Sequence, residues 1–215
     1  MFDDLLGQKP SPLVTAAYDD VAQMLRRSAK MFDLACRTLL ENEPLEVDLN
    51  TLDDQVDAGE RMVRRAILEH LAFNPKVDLV PSLILASMVQ DAERIGDFAR
   101  ALAELVPLAG RPRSGQFAER LRAVAEEIRP LFDLCMEAFL DDDEEKGRQV
   151  MDGHRRNRVT LGDLTEDLAA SDEETDMAVV YALSSRILLR ISAHLYNIAS
   201  SVVQPYDKIR HGDEE

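Results

Sequence analysis

The 215-residue chain is predicted to be all-α, built as two tandem three-helix bundles related by internal duplication. Three observations predict this. Leu, Ala, Val, Glu, Asp and Arg dominate while aromatic residues make up 5% and Trp is absent, a balance that favours helix over strand. Every long apolar pattern recurs at alternating spacings of three and four, the period of one helical face. The halves also repeat: Met31-Phe32-Asp33-Leu34 matches Leu131-Phe132-Asp133-Leu134 at an offset of 100, and Arg94-Ile95 matches Arg190-Ile191 at an offset of 96. Such a period is too long for a solenoid and fits duplication of a three-helix unit.

In order, residues 1–12 carry Gly7, Pro10 and Pro12 and read as an irregular lead-in. A first helix spans 13–40, with Leu13, Ala17, Val21, Met24, Leu25, Met31, Leu34 and Leu39 on its stripe, and Pro44 follows its end. A second spans 48–73 with Asp48 as N-cap, and Asn74-Pro75 ends it. A third opens near Asp78, tolerates Pro81 in its first turn, and runs to Pro107 and Gly110. Residues 110–115, Gly-Arg-Pro-Arg-Ser-Gly, form the linker, which divides the chain into 1–109 and 110–215. The fourth helix spans 116–140, with Pro130 predicting a kink or break; the fifth spans 142–168 and is polar. The sixth spans 173–203 on a stripe of Val180, Leu183, Ile187, Ile191, Leu195, Ile198 and Val202, before a loose polar tail.

Lys and Arg number 25 against 41 Asp and Glu, a formal charge of −16 that repels nucleic acid and anionic lipid. Cys36 and Cys135 fall in apolar helical patterns and read as reduced, buried thiols. The first residues lack a basic n-region, and no stretch approaches ~18 uninterrupted apolar residues, so a soluble cytoplasmic protein is expected. The sequence holds no Walker-type loop, no nucleophile elbow and no spacing that marks a triad. His70 sits on the second helix's apolar stripe and reads as a core or end-of-helix histidine.

The chemistry concentrates in four acids. Asp53 and Asp57 lie four apart on the second helix, and Glu93 and Asp97 four apart on the third. Each pair stacks like charges one turn apart, off the apolar stripes, so something must offset the repulsion: a cation, an arginine or solvent. A short turn makes the two helices antiparallel neighbours, so the acids share an outer surface, with Glu60 and Glu104 close by. By spacing alone this is either a solvated acidic face or an oxygen-rich site for a hard cation.

Glu93-Arg94-Ile95-Gly96-Asp97 resembles the E-R-I-G-D signature of PhoU proteins, helical regulators of phosphate uptake. Residues 53–60, Asp-Asp-Gln-Val-Asp-Ala-Gly-Glu, resemble that family's D-x-x-V-D-x-x-E, and residues 75–79, Pro-Lys-Val-Asp-Leu, its P-x-x-D-L turn. The resemblance implies a non-enzymatic regulator that binds a phosphate transporter component, a sensor histidine kinase or both, with a homodimer as a further expectation. It also implies a metal ion held by Asp53, Asp57, Glu93 and Asp97, of iron, zinc, magnesium or manganese. The second half departs from the pattern: Leu189 and Ala193 stand where the Glu and Asp would be, and Asp152 is followed by His154, Arg155, Arg156 and Arg158. Metal is therefore expected at the first bundle only. The basic cluster reads as a solvated face or a contact for an acidic partner. Three other functional readings stand beside the regulator: an accessory of a simple phosphate permease, a carboxylate-bridged metal-dependent enzyme, and a helical adaptor with no metal and no phosphate role.

Overall fold

The computed structural model describes residues 11–209, and these form six α-helices with two short 3₁₀ turns and no strand. We label the helices α1 (Pro12–Leu40), α2 (Leu49–Phe73), α3 (Leu79–Ala103), α4 (Gln116–Asp141), α5 (Glu144–Ala169) and α6 (Thr175–Val203). The expected lead-in and tail lie largely outside the described residues.

Local chemistry explains the helix starts. Ser11 caps α1 by accepting from the Val14 N–H, and Pro12 takes the first helical position, where its missing N–H costs nothing. Asp48 caps α2 through the Asn50 N–H, and Asp143 caps α5 through the Glu145 and Lys146 N–H groups. His70, buried at the end of α2, holds the following turn through Val77 O at 3.1 Å and the Asp78 carboxylate at 3.4 Å.

One expectation needs correction and another narrowing. The third helix stops at Ala103, and Val106–Ala109 wind into a 3₁₀ turn instead of extending it. Pro107 supplies no N–H and its ring disfavours α geometry just before it, so the chain tightens there. Conversely, Pro130 does not break α4, which runs unbroken from Gln116 to Asp141. Ile128, Leu131 and Phe132 around it are buried, and their packing outweighs a local cost of about 3 kcal/mol.

Within each half the three helices pack on one another, and α1 also packs on α4 and α3 on α6 across the halves. Repeat-related residues meet at these crossings. Phe32 lies 5.4 Å from Phe132, centroid to centroid, and Phe98 stacks on His194 at 5.6 Å, the pairs spaced by the offsets of 100 and 96. One apolar core runs through both halves. Cys36 and Cys135 are buried in it as free thiols, and burial pushes both thiols up. Among the described residues, α6 is long and apolar enough by composition to cross a membrane, but 50% of its most apolar window is buried against the other helices.

Candidate functional site: the acidic face of the first bundle

The antiparallel pairing of α2 and α3 brings Asp53 and Asp97 within reach of one guanidinium. Arg100 donates from Nε to Asp53 Oδ2 at 2.7 Å and from Nη2 to Asp97 Oδ1 at 3.5 Å. Its Nη1 donates to Glu104 Oε1 at 2.6 Å. Arg94 donates to Asp97 Oδ2 at 3.0 Å and lies 3.6 Å from Glu93 Oε2. Asp57 faces Arg61 at 3.7 Å, and Glu60 accepts from Arg64 at 2.8 Å. The repulsion read from the sequence is thus offset by arginines: the six acids share Arg61, Arg64, Arg94 and Arg100.

The face is only partly wet. The Asp53 and Glu93 side chains each retain 15% of their exposure. Burial, with Asp97 and Asp57 nearby, raises the Asp53 carboxyl, and the Arg100 hydrogen bond opposes it. Burial pushes Glu93 up to about 7, the Asp97 charge adds to this, and Arg94 pulls the other way. Glu93 Oε2 is buried without a hydrogen bond, and among the described residues its ion-pair partner is Arg94 at a loose distance.

Residues 21–106 match the family model of the PhoU domain. That stretch is similar to a PhoU domain and lies within the first three-helix bundle. The fold extends the likeness over nearly the whole chain. The crystal structure of PhoU from Pseudomonas aeruginosa superposes with a TM-score of 0.82 at 21% identity, covering 89% of this chain and 95% of that one. The phosphate transport system regulatory protein PhoU from Streptococcus pneumoniae superposes with a TM-score of 0.77 at 16% identity, covering 93% of this chain and 96% of that one. No curated protein matches the sequence.

The metal implied for a PhoU domain calls for several carboxylate oxygens converging on one point. Among the described residues, no three His, Cys, Asp or Glu side chains form such a group. Asp53 and Asp97 spend oxygens on Arg100, so the four candidate ligands as arranged do not form a metal cage.

The matching face of the second half has different chemistry. Ser192 holds the place of Gly96 by the 96-residue offset, and His154 Nδ1 meets its Oγ at 2.8 Å. Tyr196 lies 5.3 Å from the His154 ring, and the Arg155 guanidinium sits 5.9 Å over the tyrosine. Arg155 also donates to Asp152 Oδ1 at 2.7 Å. Burial, reinforced by Arg158 and Arg155, lowers His154 to about 4. The unfolded chain, with an ordinary histidine near 6.5, therefore takes up this proton first on acidification. The contribution is fully present above 6.5 and is lost as pH falls towards 4. Urea denaturation should show on the order of 1–2 kcal/mol of stability lost through this group between pH 7 and pH 4.5, allowing for solvent screening. A His154→Gln variant should lack that component; an unchanged pH dependence in the variant would contradict the assignment.

Sequence reasoning missed a second polar cluster, inside the core between the halves. Asp91, 2% exposed, accepts from Asn197 Nδ2 at 2.9 Å and pairs with His194 Nδ1 at 2.8 Å. A signal was present. Asp91 falls three residues after Met88 and four before Ile95, and His194 three after Ile191 and four before Ile198. Both positions lie on the buried faces of their helices.

Proposed function

We propose that the chain is a non-enzymatic regulator of phosphate uptake and phosphate-starvation signalling, acting in the cytoplasm by binding a phosphate transporter component, a sensor histidine kinase or both. The likeness to a PhoU domain at residues 21–106 carries this reading, and the PhoU fold over the rest of the chain supports it. A regulator of this kind works through surfaces, and long rigid helices sharing one core supply them. The net charge of −16 sets the partner chemistry: basic protein surfaces are favoured over lipid or nucleic acid. A homodimer belongs to the same reading.

The accessory of a simple phosphate permease differs only in the partner. The enzyme reading is weaker on the geometry. Carboxylate-bridged bundles place Glu and Glu-x-x-His ligands in the bundle interior, whereas these acids lie on an outer face and are held by arginines. Deleting the gene should change phosphate accumulation or the phosphate-starvation response of the host. Affinity capture of the tagged chain should recover a transporter ATPase, a permease or a sensor kinase. Normal phosphate physiology in the deletion strain, with none of these captured, would overturn the proposal.

A further inference from the structure

We propose that Arg100 is a built-in counter-cation of the first bundle's acidic face and keeps metal ions off it. The inference stands on the face's geometry and does not rest on the regulatory reading. Arg100 is the residue that joins the two helices' acids: its donors reach Asp53 on α2 and Asp97 and Glu104 on α3. An ion bridging Asp53 to Asp97 needs the oxygens that Arg100 holds. It would have to displace a guanidinium that is only 31% exposed and leave it with Glu104 alone. Arginine does not lose its charge at any physiological pH, so no proton release opens the face to a metal. The guanidinium is also tethered, which gives it an effective concentration in the millimolar range or above against a free ion. Arg94 adds to the barrier by occupying Asp97 Oδ2 and standing beside Glu93. The consequence is a face whose carboxylates are held by arginines without a cofactor and that does not sense metal supply.

The test is manganese binding to the untagged, metal-stripped chain, followed by loss of the free Mn²⁺ electron paramagnetic resonance signal and by elemental analysis after desalting. Wild type should bind manganese at least tenfold more weakly than an Arg100→Gln variant, which keeps the aliphatic stem and removes the charge. Adding Asp53→Asn and Asp97→Asn to that variant should abolish the gain. Melting curves give a second readout: Mn²⁺ should raise the melting temperature of Arg100→Gln and leave wild type unmoved. Wild type binding as tightly as Arg100→Gln would overturn the proposal in favour of a metal site at Asp53, Asp57, Glu93 and Asp97. Absence of binding in both would also overturn it, because Arg100 would then not be what excludes the ion.

Discussion

Replacing Arg113 with methionine is expected to destabilise the fold by about 3 kcal/mol. The last four carbonyls of a helix have no partner within it, and at the end of α1 all four are satisfied from outside. Arg37 O accepts from the Glu41 and Glu43 N–H groups. Thr38 O and Leu39 O both accept from the Arg113 guanidinium, and Leu40 O accepts from Arg122 Nε at 2.8 Å. Arg113 is 8% exposed, so water does not replace it without opening the packing. Its positive charge also sits at the negative end of the α1 dipole. The Asn42 side chain locks the arrangement by accepting from the Arg113 N–H at 2.8 Å and donating to its carbonyl at 3.1 Å. Methionine keeps the stem and volume but leaves two buried carbonyls unpaired. Lysine, with one compact ammonium in place of a planar fork, should recover only part of the loss. Urea denaturation of the three proteins measures this, and a loss below about 1 kcal/mol for methionine would mean that the carbonyls find other partners.

Arg113 also marks the limit of what the sequence could say about the fold. Proline and glycine spacing reads backbone, so residues 110–115 looked like a plain linker. That a linker arginine would turn inward and close the end of α1 is a tertiary fact with no period. Helix boundaries were legible because burial on one face and capping are local: Asp48, read as an N-cap, sits one residue before α2, while the caps Ser11 and Asp143 carried no such reading. The end of α3 was misread because Val106 falls on the apolar period of Leu102 and Ala99, and it is the backbone of Pro107 that ends the helix. At Pro130 the break does not occur, because the buried neighbours outweigh the local penalty.

The acidic face shows the same division. The four-residue spacings of Asp53 with Asp57 and Glu93 with Asp97 are one-dimensional facts, as is the placing of Arg100 three after Asp97 and four before Glu104. The reach of Arg100 across to Asp53 depends on the register between α2 and α3, which no single-helix pattern encodes. The packing around Gly96 does not by itself fix that register. A side chain there would meet Ser28, Val56 and Asp53 at 3.4–3.6 Å, ordinary contact distance, so the helices are close without being jammed.

Asp91→Leu is expected to cost about 4 kcal/mol, the largest effect of any single substitution proposed for this chain. The carboxylate lies in the core between α3 and α6, where His194 and Asn197 both address Oδ1. Leucine removes that acceptor and leaves His194 and Asn197 facing an apolar side chain. His194 has no second hydrogen bond to fall back on, because its Nε2 is buried and unpaired among the described residues. Phe98 covers one face of the imidazole, with the Arg190 guanidinium 5.6 Å over the phenyl ring, so the ring cannot swing out cheaply. A buried pair is costly to break but not costly to replace whole. His194→Leu alone should therefore also destabilise, and the Asp91→Leu, His194→Leu double variant should lose less than the sum of the singles by about 2 kcal/mol. The cycle is read from chemical denaturation at fixed pH. Strict additivity would show that the two residues do not act as a unit. Because Asp91 belongs to the first half and His194 to the second, the coupling also reports whether the repeats are stabilised by each other. A strong coupling is expected to accompany one cooperative transition for the whole chain, whereas two separate transitions would show that the pair does not tie the halves into one folding unit.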